Sequence, residues 1–380
     1  MSAPAAPLPP GAFVAALAGF DRMTTRRLRS LLAVGDPQRA FAVAAGEVVD
    51  TGAVGAMLAA DPELAAHWRR EAQRRAPDAC WAQCVRSGTA VVVPGDDWFP
   101  AQLLDDPACP AALFVRGDLR VLAGRRVGII GTRNATQRGR QTAARLGHEL
   151  AANDVVVVSG LARGIDGAAH RGALAAAGAP VAAVVGNGPD RAYPRQHEGL
   201  WHDVATRGVL ISEWPPGTPP DAFRFPLRNR ILAALVEVLV VVESRERGGS
   251  LITAREALRR DIGVMAVPGS PLNAAAAGTN ALLRDGAAPA ADIADVLVAL
   301  GLDGRRAGRA RFDPRPLPRG LDAAVVEVCR TDPRTIEHVV AELDISLAEA
   351  AMALARLERD GWLRETGGWF EALDRWDEFA

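Results

Sequence analysis

Small and basic residues recur at chemically useful places in this 380-residue chain. Gly131-Thr132-Arg133 follows one run of β-branched residues, Ser159-Gly160 follows the next, and Gly248-Gly249-Ser250 opens a helical pattern beginning at Leu251. Glycine lets a backbone approach an anion, a helix start presents free N–H groups, and a guanidinium grips phosphate with two prongs. These triplets predict a phosphate site. Arg224-Phe-Pro-Leu-Arg-Asn-Arg230 packs three Arg and one aromatic into seven residues without an acid. Arg224, Arg228 and Arg230 for backbone phosphates, Phe225 for stacking on a base and Asn229 for hydrogen bonding are the parts of a single-strand nucleic-acid groove. The G-x-G-x-x-G dinucleotide fingerprint is missing after Ile130, which argues against NAD and FAD.

Other groups are open to two readings. Asp166 and His170 are spaced to share a helical face and form half of an acid–base pair. No nucleophile or ligand set stands near them in sequence, so a structural hydrogen bond is the simpler role. Glu213 and Glu243 end β-branched runs, as acids or as partners for arginines.

The elements that must position these groups are legible as periodicity. Apolar runs begin at Val127, Val155, Val181, Val209, Val238 and Val264. Helical patterns at 143–152, 168–177, 230–235 and 251–260 separate most of them. Strands buried on both faces and alternating with helices predict an α/β domain, a Rossmann-like doubly wound parallel sheet. In such sheets ligands bind outside the carboxyl ends of the strands, where the Gly, Ser and Arg residues fall. Apolar residues at helical spacing fill residues 12 to 85, and Asp36-Pro37 reads as a helix start. An Arg-, Gly- and Pro-rich stretch, 301–319, reads as a linker. Three helical patterns (321–330, 335–343, 347–359) and two short strands about Gly367-Gly368 then describe a winged helix. The expected domains are therefore 1–85, 86–300 and 320–380.

Composition narrows the function. The chain has 44 basic residues against 45 acidic ones, so any anion site is local rather than a whole-chain field. All the basic residues are Arg. Without Lys there is neither a P-loop nucleotide site nor a Schiff-base enzyme. The four Cys are too few and scattered for a disulfide framework, and no metal-ligand spacing appears. No signal peptide is visible, and the run from Ile231 to Val242 is too short to span a bilayer, so a cytoplasmic protein is expected.

Several strings in order resemble the DNA-processing protein A family (DprA, also called Smf). They include Phe99-Pro-Ala-Gln-Leu-Leu-Asp-Asp-Pro107, Ile130-Gly-Thr-Arg-Asn-Ala-Thr136, the Ser159 to His170 string and Ser212-Glu-Trp-Pro-Pro-Gly-Thr218. Phe225-Pro-Leu-Arg-Asn-Arg-Ile231, Gly249-Ser-Leu-Ile-Thr-Ala-Arg255, Ala266-Val-Pro-Gly269 and Gly278-Thr-Asn-Ala-Leu-Leu-Arg284 continue the series. The resemblance runs from about residue 98 to 288. It implies an N-terminal helical domain, SAM-like or helix-hairpin-helix-like, an extended Rossmann-like domain that binds single-stranded DNA, and a C-terminal winged helix. It further implies homodimers, help in loading the RecA recombinase during natural transformation, and no catalytic step or cofactor. By this resemblance Arg133, the Phe225 to Arg230 segment and the Ser250/Thr253 helix start line the DNA groove.

Two other classes stay open. A Rossmann-like nucleotide phosphoribohydrolase is partly echoed in Gly248 to Glu256. A winged-helix regulator of duplex DNA is disfavoured by the acids Glu349, Glu358 and Asp360 on and beside the third helix, which read as a protein-interaction surface.

Overall fold

The structure, a computed structural model, describes residues 7–302 and 315–373. Six helices come first: α1 (Pro10–Ala18), α2 (Thr25–Leu32), α3 (Pro37–Ala45), α4 (Ala53–Ala60), α5 (Pro62–Arg74) and α6 (Pro77–Ser87). Three of their starts are fixed by local chemistry. The side chains of Thr24, Asp36 and Asp61 accept from the amides of Arg27, Arg39 and Leu64, and Pro opens α3 and α5. Val14, Leu17, Phe20, Leu31, Leu64 and Trp68 bury against one another beneath these helices.

A nine-stranded sheet follows: β1 (Ala90–Val92), β2 (Leu113–Gly117), β3 (Arg125–Ile130), β4 (Val155–Ser159), β5 (Val181–Val184), β6 (Val209–Ser212), β7 (Val238–Val241), β8 (Gly263–Ala266) and β9 (Ala288–Pro289). Its order is β1-β2-β6-β5-β4-β3-β7-β8-β9. From β6 to β9 every neighbour is parallel, whereas β1 and β2 extend the edge antiparallel. The six expected apolar runs are β3 to β8. The edge strands were not among them: β1 and β9 are three and two residues long, and β2 spends two of its five positions on Arg116 and Gly117.

Helices α7 (Ala101–Leu104), α8 (Gln137–Ala152), α9 (Ile165–Ala175), α10 (Glu198–Arg207), α11 (Arg224–Ala234), α12 (Ser250–Leu258), α13 (Ala277–Arg284) and α14 (Ile293–Ala299) accompany the strands. Alternation along each strand divides the core. Val127, Ile129, Val155 and Val157 pack with Leu146 and Leu150 of α8 on one face, while Ile130, Val156 and Val158 pack with Ile231 and Leu232 of α11 on the other. The fold is thus an α/β one with a mostly parallel sheet. The strand sequence turns around at β3, which has β4 on one side and β7 on the other, and ligands favour such a switch point.

Beyond residue 315 lie α15 (Leu321–Thr331), β10 (Arg334–Thr335), α16 (Ile336–Leu343), α17 (Leu347–Arg359), β11 (Leu363–Thr366) and β12 (Trp369–Ala372). The strands form an antiparallel sheet in the order β10-β12-β11, and Val325, Leu354, Leu357 and Trp362 fill a small core of their own. Most of the expected linker, residues 303–314, lies outside the described residues.

Candidate nucleic-acid interface

The basic segment at 224–230 is the first two turns of α11, not an extended strip. Residues three and four apart on a helix share a face. Phe225, Arg228 and Asn229 therefore turn together toward a cleft of about 530 Å³ at the switch point, whose opposite wall carries Gly131, Thr132 and Arg133. Gly249, Ser250 and Thr253 close a third side at the start of α12. Gly160 borders an adjoining recess of about 270 Å³ with Arg133, Phe225 and Arg228.

Three other expected groove residues are not brought there. The hydroxyl of Ser159 is fully buried and donates to the Ile129 carbonyl at 2.6 Å. Arg230, five residues beyond Phe225, turns to the N-terminal helices, pairs with Glu213 and donates to the Ala108 carbonyl. Arg224 leans over the Phe223 ring, 4.9 Å from its centroid. Helical rotation separated residues that a linear reading had pooled.

The rim of the cleft is exposed and aromatic. The Arg133 guanidinium lies 4.7 Å from the centroid of the Phe225 ring. Tyr193 stacks on the same ring at 5.5 Å with the planes 26° apart. Sequence reasoning missed Tyr193; its one available signal was that it is the single tyrosine of the chain, on a loop beyond a strand end. Across the cleft α12 starts with no side-chain cap and no acid in its first turn, so its positive end is uncompensated. The Ser250 hydroxyl is spent inward on Ser244 at 2.9 Å, which leaves backbone rather than side chain to meet a ligand there.

Beneath the rim, the charges are internal. Arg228 is buried and donates to the Val184 carbonyl at 2.7 Å, and burial pulls its pKa down to about 10. Its guanidinium lies so close to Gly160 that a Cβ there would sit 1.9 Å from Nη1, so only glycine fits. Asp166 accepts from the Gly160 amide at 3.1 Å; burial raises its pKa and the nearby Arg228 charge opposes that rise. His170 does not join it in an acid–base pair. Its Nε2 lies 3.2 Å from the Ala182 carbonyl, and burial holds the ring neutral with a pKa of about 4.

Glu243, at the end of β7, settles what the switch point can hold. Its carboxylate accepts from the Thr136 amide at 2.9 Å and from the Thr136 hydroxyl, directly at the start of α8. Gly139 in the first turn has no room for a Cβ, which would fall 2.3 Å from the Glu243 carboxyl carbon. A dinucleotide would place its pyrophosphate on that helix start. The protein's own carboxylate already fills it. The other two acids are equally committed: Glu213 to Arg230, and Glu256, at 2.6 and 2.7 Å, to Arg259 and Arg260 outside the cleft. The hydrolase reading needed Glu256 as a free acid.

Among the described residues there is no group of His, Cys, Asp or Glu arranged to hold a metal ion, and no helix long and apolar enough to cross a membrane.

Residues 90–301 match the family model described as DNA recombination-mediator protein A. Over 179 residues the chain is 43% identical to the DNA processing protein DprA of Bacillus subtilis, a match that takes in 47% of this chain and 60% of that one. The DNA processing protein DprA of Streptococcus pneumoniae is 37% identical over 202 residues, 53% of this chain and 71% of the relative. The X-ray structure of the Streptococcus pneumoniae protein superposes with a TM-score of 0.62 at 28% identity, over 77% of this chain and 98% of that chain.

Proposed function

The chain belongs to the DNA recombination-mediator protein A family, and on that premise we propose that it binds single-stranded DNA in the cleft at the β3/β7 switch point. The observation that carries this reading is the stack of exposed Arg133 and Tyr193 on half-buried Phe225 beside an uncapped helix start. Aromatic faces accept any unpaired base, a guanidinium and bare amides accept phosphate, and a duplex keeps its bases hidden. A dinucleotide cofactor is disfavoured by Glu243, and the hydrolase reading by Glu256, the acid it invokes, which is tied to Arg259 and Arg260 outside the cleft.

Salt-dependent binding to single-stranded and duplex oligomers of equal length tests it. The single strand should bind tighter, with log affinity falling by about 0.7 per phosphate contact for each unit of log salt. Arg133→Ala should weaken binding and flatten that slope; equal affinity and slope in the variant would sink the reading.

Membership of the family supports the rest of the reading. The protein protects incoming strands in the cytoplasm and hands them to the RecA recombinase during transformation or recombination, with no chemical step of its own. The three C-terminal helices and their small sheet act as a winged helix that meets protein rather than DNA, a reading supported by the acids Glu349, Glu358 and Asp360 on and beside α17 and by Arg356 being tied to Asp322 at 2.7 Å. The expected units 1–85, 86–300 and 320–380 are kept as the proposed division, with the first boundary moved to Gly88, because α6 runs on to Ser87. A homodimer forms through the Rossmann-like unit. Two apolar segments, Leu232 to Val242 and Leu272 to Leu283, are candidates for its interface; the first is core, with Leu232 and Leu239 buried, whereas Leu272 in the second is 97% exposed. Sedimentation of Leu272→Arg reads that interface.

A further inference from the structure

Across the start of α11 from the Arg133–Phe225 stack lies a second open cleft of about 410 Å³, between the N-terminal helices and the segment joining β6 to α11. Pro220, Asp221 and Ala222 line the first cleft, and Pro219, Phe223 and Arg224 line the second, so one turn of chain is the wall of both. Phe223 is 56% exposed at the mouth. The Arg224 guanidinium lies 4.9 Å from the Phe223 ring and 5.9 Å from that of Trp214, and its Nε is buried without a hydrogen-bond partner. From the facing wall comes Arg22, on the turn between α1 and α2, with its backbone held in the left-handed region at φ 58°.

Charge in this cleft is local and basic. Arg75 also lines it, but is committed to Glu71 at 3.3 Å, and Asp21 sits 3.2 Å from His67 Nε2. Arg22, exposed, and Arg224, one of whose Nη1 hydrogens goes to the Pro219 carbonyl at 2.5 Å, supply the remaining positive charge, which outweighs the single exposed carboxylate of Asp21. The two walls are pinned to each other: the Thr25 hydroxyl, three residues from Arg22, donates to Glu213 at 3.1 Å, next to Trp214, and Arg230 clamps the same carboxylate. The opening is therefore preformed rather than a gap that closes on a ligand.

We propose that this cleft is a second seat for the same unpaired strand, with a base against Phe223 and Trp214 and backbone phosphate on Arg22 and Arg224. The inference rests on the reading of the first cleft as the DNA site. It extends the path around α11 onto the N-terminal helices, which gives those helices a direct part in binding.

Oligothymidylates of about 6 and about 16 nucleotides, within the roughly 4–16 over which single-strand site sizes vary, separate the two seats. Phe223→Ala should weaken the longer oligomer roughly tenfold, the size of one lost base stack, and leave the shorter one at wild-type affinity. Arg22→Ala should lower the salt slope of the longer oligomer by about 0.7. Both side chains are exposed, and a thermal melt verifies that the variants fold. An oligomer carrying 5-iodouracil, irradiated and mapped by mass spectrometry, should crosslink to Phe223 or Trp214 in addition to Phe225 or Tyr193.

If both variants bind the longer strand as wild type does while Arg133→Ala loses both lengths, the second seat is overturned and the first stands. Equal losses at both lengths in Phe223→Ala also overturn a separate seat. If Arg133→Ala changes nothing, the first cleft is misread; the second is then judged by its own variants, with unchanged binding overturning it and loss of the longer strand upholding it.

Discussion

The floor and the rim of the switch-point cleft carry charge for opposite purposes. On the floor Arg228, Asp166 and Glu243 are buried and engaged with backbone or with a helix start. On the rim Arg133 is exposed and its contact is with an aromatic face. A buried charge without compensation costs several kcal/mol, so the floor is constrained by folding. An exposed guanidinium on a ring contributes little to stability and keeps its donors for something else. The two helix starts at the cleft repeat the contrast. That of α8 is neutralised by Glu243, and that of α12 is left open. Adjacent groups of the same type thus divide into those that shape the cleft and those that meet the ligand.

The largest effect should come from the floor. Arg228→Leu leaves Asp166 buried without its cation and the Val184 carbonyl without its donor, and should cost about 3–5 kcal/mol in urea unfolding. Adding Asp166→Asn should recover part of that loss, because the uncompensated charge is removed with its partner. A single variant as stable as wild type would erase the distinction between floor and rim.

The next effect is a pH dependence. His170 has a folded pKa of about 4 against 6.5 unfolded, so between those values the unfolded chain binds more protons and stability falls as pH falls. The window is worth about 3 kcal/mol at 1.36 per unit. Buried His197, also lowered, acts in the same sense, whereas Asp166, raised by burial, acts in the opposite one. The readout is therefore the difference between wild type and His170→Gln, which keeps a donor for the Ala182 carbonyl. The variant's stability curve should be flatter between pH 6.5 and 4; parallel curves would mean the ring is not held neutral.

A rim variant should behave the other way. Tyr193→Ala should weaken single-strand binding by about 1–3 kcal/mol, the range for a base-stacking aromatic, with the unfolding free energy in urea within about 0.5 kcal/mol of wild type. A loss of stability without a loss of affinity would make Tyr193 a packing residue for Phe225 and no more.

How much of this was legible depended on how local the determining physics is. The runs from Val127 to Val267 reveal the sheet because burial on both faces leaves an unbroken apolar signature. Gly131-Thr132-Arg133 and Gly249-Ser250 point to the cleft because turn chemistry is written in neighbouring residues. The roles of Arg224, Arg228 and Arg230 were not readable, because they depend on where α11 begins. Its first turns carry Pro226, Arg and Asn rather than an apolar stripe, and only Arg230 to Leu235 showed a helical pattern. Nor could sequence pair Glu243 with Thr136 or Tyr193 with Phe225. Those partners are 107 and 32 positions apart and meet only once strand order is set.

The smallest effect gives the sharpest cut between floor and rim. Arg133→Lys keeps the positive charge but loses the planar, stackable fork, and an ammonium also holds its water more tightly. If the rim works by charge alone, affinity and salt slope both stay at wild type. If the guanidinium's hold on Phe225 aims it at the strand, affinity should fall by about 0.5–1 kcal/mol with the slope unchanged, because the number of displaced counterions is the same. The outcome that breaks the comparison is a flattened slope with unchanged stability. A retained cation would then have left the phosphate path altogether, and the geometry over Phe225 would be deciding whether the contact exists rather than how well it is made.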